Sequence, residues 1–317
     1  MATHQTVASS AGAGPPRRTL EATGHRYGEK AIKALLAAAG AFSVAVTIAI
    51  VLSLVFPTID FFREVPVTDF LFGSDWAPSF ANPSFGVRPL VVGTLNIAFW
   101  TLVIAVPVGL ASAIYLSEYA PGWVRRFVKP TLEVLEGIPT VAIGLFAFLF
   151  LRPLAEDAFP FLDWGTFSVG VAGVAVGLLT VPLVASIADD AMRSVPGALR
   201  EGAYALGASR YRVSVRVVFP AAISGIVAGI VLAVSRAVGE TMVVLMAAGA
   251  TPQVTVDPTE SVQTMTAYIG QTSTGDIATG TVDYNTIFAV GGLLFVMTFI
   301  MNVFAIRLVR RFREVYE

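Results

Sequence analysis

Residues 165–188, GTFSVGVAGVAVGLLTVPLVASIA, run for 24 positions without a charged side chain. A helix that spans the hydrocarbon core of a bilayer needs about 20 consecutive, mostly apolar residues. The whole chain shares this character, because 55% of its 317 residues are hydrophobic, 14% are charged and the mean hydropathy is +0.74. The stretch therefore predicts a membrane-spanning helix within an integral membrane protein.

The composition excludes several other classes of protein. Soluble domains carry about 25% charged residues, and disordered chains combine low hydrophobicity with high net charge. A net charge of −1 gives no basic field that would attract nucleic acid. Cysteine is absent, and the two histidines, His4 and His25, both lie in the polar N-terminal segment. An all-α membrane protein with no metal site and no cysteine or histidine catalysis is therefore expected.

Six apolar stretches predict six membrane-spanning helices. They occupy residues 34–56, 89–117, 131–151, 165–188, 217–250 and 284–306. The third is the weakest, because Glu133 and Glu136 interrupt it near its start. The fifth contains Arg236 and Glu240 in its second half.

The distribution of basic residues predicts how these helices are oriented. Loops on the cytoplasmic side of membrane proteins collect Lys and Arg. Seventeen of the 21 basic residues lie before helix 1, between helices 2 and 3, between helices 4 and 5, or after helix 6, whereas Arg63, Arg88 and Arg152 lie in the alternate segments. This alternation predicts both termini in the cytoplasm. The outer loops then comprise residues 57–88, 152–164 and 251–283, the last of these being a candidate ordered lid.

Four segments follow from these spans. They are a disordered cytoplasmic tail at residues 1–29, the first helix with its outer loop at 30–88, a five-helix core at 89–310 and a short tail at 311–317. The first apolar stretch, 23 residues long and preceded by a long polar segment, exceeds a typical signal-peptide core. Helix 1 is therefore expected to be retained.

The predicted cytoplasmic segment 189–216, between helices 4 and 5, carries the most informative pattern. After Pro196 and Gly197 the residues take a helical pattern that ends at Gly207 and Ser209. Several small residues on this helix would let another protein approach closely, namely those at 202, 203, 205, 207 and 208. A solvated linker helix lying along the membrane explains the same pattern, so the residues alone leave both interpretations open.

The same segment resembles the coupling loop of importer-type ABC permeases. In that family Glu-Ala-Ala is followed by three residues, Gly, nine residues and Ile-x-Leu-Pro. Here Glu201, Gly202 and Ala203 precede Gly207, and Val-Val-Phe-Pro follows at 217–220, with the same spacings. The resemblance implies a MetI-like permease fold with a cytoplasmic coupling helix that docks on a separate ATPase subunit. It assigns Glu201, Gly202, Ala203 and Gly207 to that contact.

Two charged residues lie deep within the fifth predicted helix. Arg236 and Glu240 are four apart, which places them on one face of a continuous helix. A charge at the bilayer centre costs about 2.5–3.5 kcal/mol on insertion scales, so such residues usually face a bundle interior or an aqueous cavity. An intrahelical salt bridge that locks helix packing is one interpretation. The other is a cation on an anion pathway, because arginine can donate two hydrogen bonds to a tetrahedral oxyanion.

The residues around Arg236 and Glu240 resemble one group of importer-type ABC permeases in particular. Residues 235–242, Ser-Arg-Ala-Val-Gly-Glu-Thr-Met, are similar to the Arg-Ala-x-Gly-Glu-Thr motif of phosphate-importer permeases. Three further stretches resemble the PstC-type subunit of those importers, namely residues 85–95, 113–121 and 129–140. Within them Glu136 stands where a small residue is usual, and the sequence assigns it no role. The resemblance covers residues 30–315 and implies that Arg236 and Glu240 lie on the substrate pathway.

The resemblance also implies partners. These are a PstA-like second permease, PstB-like ATPase subunits and an external PstS-like phosphate-binding protein, with no cofactor held by this chain. The Gly-x-x-x-x-Gly-Lys-[Ser/Thr] motif of ATPases does not occur in the sequence, so ATP hydrolysis is expected in a separate polypeptide. One alternative is a permease for another oxyanion, such as sulfate or molybdate. A secondary carrier would bury more ionisable groups, and a structural subunit would not need a buried arginine.

Overall fold

A computed structural model describes residues 27–312, and within them the chain is helical apart from loops and one two-stranded hairpin. The N-terminal part forms α1 (Tyr27–Glu64), α2 (Val67–Phe72), β1 (Trp76–Ala77), β2 (Ser84–Phe85), α3 (Arg88–Ile114) and a π-helical turn (Tyr115–Tyr119). The middle forms α4 (Gly122–Glu136), α5 (Thr140–Phe146), a π-helical turn (Ala147–Leu151), α6 (Arg152–Ala158), α7 (Val169–Arg193) and α8 (Gly197–Ala205). The C-terminal part forms α9 (Arg210–Val213), a π-helical turn (Ser214–Val218), α10 (Phe219–Ala221), α11 (Ile223–Gly239), α12 (Met242–Ala247), α13 (Met265–Ser273) and α14 (Val282–Phe312).

The chain divides into two compact units, Met1–Val51 and Leu52–Glu317. The described part of the first unit is the beginning of α1, whose side chains are exposed from residue 29 to residue 50. Exposed apolar side chains suit a helix that faces lipid. The expected tails fall mostly outside the described residues, as do His4 and His25, although residues 27–29 are already helical.

Six membrane spans can be assigned to the described residues, as predicted. Four are continuous helices, Glu29–Glu64, Arg88–Tyr119, Val169–Arg193 and Val282–Arg307. The other two are bent pairs, Gly122–Glu136 with Thr140–Ala158 and Arg210–Ala221 with Ile223–Gly239. The third and fifth spans, each counted as one helix from the sequence, are therefore bent pairs of helices.

The third span is broken where the sequence was expected to continue as a helix. Helix α4 ends at Glu136, and the chain turns by 91° before α5 begins at Thr140. Pro139 causes this break, because proline lacks the backbone N–H and holds the preceding residue away from helical conformation. The second half then stays helical to Ala158, so the predicted outer loop at 152–164 begins only after α6.

The fifth span is broken twice. Its two long parts meet at Ala222 with a bend of 70°. Helix α11 then ends at Gly239, and Glu240 takes an extended backbone conformation with φ −67° and ψ 131° before α12 begins. Arg236 therefore lies in the last turn of α11, and Glu240 lies beyond the end of that helix.

Helix α7 is the centre of the second unit, and glycines let its neighbours approach closely. A Cβ atom on Gly173 would lie 2.5 Å from the Cβ atom of Trp100 in α3. Near the other end of α7, a Cβ atom on Gly225 of α11 would lie 2.5 Å from the Cβ atom of Ala191. Contacts this close hold membrane helices together through backbone packing. They bring α3 and the first turn of α11 close against α7.

Candidate functional site

The predicted site residue Arg236 is paired with a residue from a distant part of the chain. Its Nη1 atom lies 3.5 Å from Oε1 of Glu136, the last residue of α4. The two side chains are 26% and 34% exposed, so both reach solvent-accessible space. The structure thus places Glu136, to which the sequence assigned no role, beside the deep arginine.

The first interpretation of the deep charges, an intrahelical salt bridge between Arg236 and Glu240, is not present among the described residues. Among the described residues Arg236 pairs with Glu136 only, because α11 ends before Glu240 and the two residues no longer share a helical face. The Glu240 carboxylate instead accepts a hydrogen bond of 3.3 Å from the backbone N–H of Val243, at the start of α12. Its backbone carbonyl accepts a bond of 2.6 Å from the Thr266 hydroxyl. Glu240 is thus a buried residue that fixes the turn between α11 and α12.

The guanidinium of Arg236 has hydrogen-bonding capacity left over. Arginine has five N–H donors, and the Nε atom of Arg236 is buried without a hydrogen-bond partner among the described residues. A buried donor without a partner is costly, and an oxygen ligand would relieve that cost. An anion that offers more than one oxygen could satisfy this donor together with a terminal nitrogen, once a local movement opens the enclosed Nε atom.

The candidate lid, residues 251–283, is folded around α13. The Thr264 hydroxyl caps this helix by accepting a hydrogen bond of 3.1 Å from the N–H of Ala267. Burial raises the pKa of the Tyr268 hydroxyl, which lies 2.6 Å from the Thr286 hydroxyl of α14. In the preceding loop, two hydrogen bonds from Thr259 lower the pKa of Asp257. The lid is thus held by local caps and by contacts to α14.

The predicted docking helix forms as α8, and it ends as the sequence indicated. Gly207 has φ +79°, a left-handed conformation that glycine adopts without steric cost. Glu201, Gly202 and Gly207 are exposed, whereas Ala203 packs on a cluster around Val213. Among the described residues, no atom beyond the adjacent residues and the helix's own backbone lies within 4 Å of a Cβ atom placed on Gly202 or Gly207. This face is open to a partner.

Arg200, which the sequence did not single out, ties α8 to the membrane helices. Arg200 donates hydrogen bonds to the carbonyls of Val195, at 2.8 Å, and Met192, at 2.7 Å. It also donates one of 3.1 Å to Glu118, which is 6% exposed and lies at the end of the second span. Because Glu118 is 82 residues away, no local pattern reveals this contact. Arg200 therefore connects α8 to the ends of two spans.

Replacing Arg200 with alanine is expected to destabilise the protein by about 1–3 kcal/mol, because the buried Glu118 carboxylate would lose a hydrogen-bond donor. Thermal unfolding of the purified complex in detergent would show a midpoint lower by several degrees. Arg193→Ala is the matched control, since Arg193 is exposed on the same segment. An equal loss in both variants would contradict the assigned contact.

Ion pairs also tie α4 to the end of α7. Arg125 donates a hydrogen bond of 2.9 Å to Asp189, whose side chain is 1% exposed, and Lys129 pairs with Asp190. These carboxylates lie near the end of α7, as the first two residues of the segment 189–216 that carries α8. The helix that ends at Glu136 is thus anchored at its other end beside α7.

Comparison with known proteins agrees with the fold and the motifs. The family model for the binding-protein-dependent transport system inner membrane component matches residues 105–314. The probable ABC transporter permease protein YqgH of Bacillus subtilis is 35% identical over 233 residues, which are 73% of this chain and 74% of YqgH. The phosphate transport system permease protein PstC of Xylella fastidiosa (strain 9a5c) is 30% identical over 291 residues, which are 86% and 88% of the two chains.

A solved structure shares the expected permease fold. The bacterial alginate ABC transporter, in complex with an alginate pentasaccharide-bound periplasmic protein, superposes with a TM-score of 0.62 at 17% identity. The match covers 90% of this chain and 98% of that chain. Together with the family match and the apolar spans, it confirms the expected MetI-like architecture. The chain therefore belongs to the binding-protein-dependent transport system inner membrane components, as a multi-pass permease subunit of an ABC transporter of the inner membrane.

Proposed function

We propose that this chain is a transmembrane permease subunit of an ATP-driven, binding-protein-dependent importer of inorganic phosphate. The observation that supports phosphate as the substrate is Arg236, whose side chain is 26% exposed and whose buried Nε atom has no hydrogen-bond partner among the described residues. The PstC name of the Xylella relative supports the same substrate. Phosphate offers several oxygens in a tetrahedral arrangement, which match the planar fork of arginine.

In this proposal the chain has both termini in the cytoplasm. The support is the 17 of 21 basic residues in alternate segments, because cytoplasmic loops collect such residues. Helix α8 then lies in the cytoplasm, where Glu201, Gly202, Ala203 and Gly207 form the contact with a PstB-like ATPase. The transport unit is the five-helix core at 89–310, paired with a PstA-like permease. A PstS-like binding protein delivers phosphate to the outer loops.

The proposed mechanism couples two events. ATP-driven closure of the ATPase subunits moves α8, and the contacts of Arg200 carry that movement to the second and fourth spans. The bundle then exchanges between a state open to the binding protein and a state open to the cytoplasm. Phosphate passes Arg236, whose positive charge offsets the free-energy cost of removing water from the anion. Glu240 holds the α11–α12 turn that positions Arg236.

Uptake of radiolabelled phosphate tests this function directly. A strain without the chain is expected to lose binding-protein-dependent phosphate uptake, and reintroduction of the chain restores it. A tenfold excess of sulfate or molybdate should leave the restored uptake unchanged. Loss of sulfate or molybdate uptake with normal phosphate uptake would instead identify a permease for another oxyanion.

A further inference from the structure

Compared with the pair between Arg125 and Asp189, which also joins two helices, the pair between Arg236 and Glu136 is longer and more exposed. Its single contact is 3.5 Å long, and both side chains are partly exposed. By contrast, Arg125 and Asp189 are 2.9 Å apart, and Asp189 is almost fully buried. Ion pairs that are long and partly solvated contribute little to stability. The Arg236–Glu136 contact is thus poorly suited to holding two helices together.

The same contact leaves Arg236 able to bind another anion. Glu136 approaches one terminal nitrogen, while the buried Nε atom has no acceptor among the described residues. A tetrahedral oxyanion can place two oxygens on one guanidinium, and such paired, charge-assisted hydrogen bonds are shorter and stronger than a single long contact. An oxyanion therefore has an advantage over Glu136 at this position.

The position of Glu136 in the fold allows it to move. It is the last residue of α4, and Gly137 and Pro139 follow it in a turn of 91° before α5. The far end of α4 is fixed to α7 by Arg125 and Lys129. A small change at the turn can withdraw the Glu136 carboxylate while the rest of the helix stays in place.

We propose that Glu136 is the displaceable counter-ion of Arg236. It neutralises the guanidinium while the site is empty, gives way when an oxyanion binds, and promotes release of that anion when it returns. This inference rests on the proposed anion pathway at Arg236. In this role Glu136 lowers the affinity of Arg236 for the anion, so that the anion dissociates.

Equilibrium binding tests this role. The probe is radiolabelled inorganic phosphate, dialysed against the purified nucleotide-free complex of this chain with its permease and ATPase partners, without the binding protein. Glu136→Gln keeps the shape of the side chain and removes its charge. The variant is expected to bind phosphate about tenfold more tightly than the native complex, because a competing like charge beside the anion is gone.

A matched variant separates this role from a general charge effect. Glu133 lies one turn earlier on α4, is exposed and forms no ion pair within residues 27–312. Glu133→Gln should therefore bind phosphate with native affinity. In proteoliposomes supplied with binding protein, Glu136→Gln should also retain labelled phosphate after a single turnover, which a merely structural role would not produce.

Several outcomes would overturn the proposal. Equal affinity in the native and Glu136→Gln complexes, including binding below detection in both, excludes the competition. Failure of Glu136→Gln to assemble, while Glu133→Gln assembles, means that Glu136 is structural. Failure of the proposed function gives a different result, namely normal phosphate uptake by Arg236→Gln whatever the behaviour of Glu136→Gln.

Discussion

Replacing Arg236 with glutamine is expected to lower phosphate uptake by about 100-fold while the complex still assembles. In the proposed site Arg236 and the bound phosphate form a desolvated, hydrogen-bonded charge pair. Removing one partner of such a pair costs about 2–5 kcal/mol, and each 1.4 kcal/mol changes an equilibrium constant tenfold. The pair that Arg236 makes with Glu136 is long and partly exposed, so its loss should not unfold α11. The measurement is binding-protein-dependent uptake of radiolabelled phosphate into proteoliposomes.

Two further variants separate the charge of Arg236 from its shape. Arg63→Gln removes an arginine from an exposed pair with Asp60, and uptake should remain normal. Arg236→Lys keeps the charge but loses the planar fork, so uptake should be intermediate between those of the native protein and Arg236→Gln. Normal uptake by Arg236→Gln in a properly assembled complex would remove Arg236 from the substrate pathway.

The sequence predicted the spans well wherever hydrophobicity alone decides the structure. The apolar stretch at 165–188 corresponds to α7, Val169–Arg193, because an uncharged run of this length has few alternatives to a spanning helix. It failed at the broken spans. Pro139 is a sequence signal for the break in the third span. The end of α11 before Glu240, in the fifth span, is marked in the sequence only by Gly239.

The two parts of the site differ in how much a sequence can predict. Helix α8 and its end at Gly207 follow from local residues, since a helix pattern and a glycine turn are encoded within one segment. The partner of Arg236 depends on how α4 and α11 pack, and that packing brings together residues far apart in the chain. The four-residue spacing offered Glu240 as one possible partner of Arg236, and the extended turn removes Glu240 from that face.

Replacing Glu201 with lysine is expected to lower recovery of the ATPase subunit in the membrane at least about tenfold, because a reversed charge at a docking contact costs several kcal/mol. Glu201 is exposed on α8, so the change should leave the fold of this chain intact. The measurement is co-purification of the ATPase subunit with the membrane-embedded complex, followed by ATP hydrolysis in the presence of binding protein.

Because Glu201 is exposed, a loss of ATPase recovery in Glu201→Lys reports on the contact with the ATPase and not on the folding of this chain. Asp276→Lys reverses an equally exposed charge in the predicted outer loop, on the side of the membrane away from the ATPase, and should leave ATPase recovery unchanged. A loss confined to Glu201→Lys therefore arises at the docking contact, because neither side chain supports the packing of the helices. Undiminished co-purification together with coupled transport in Glu201→Lys would instead favour the alternative in which α8 is a solvated linker helix.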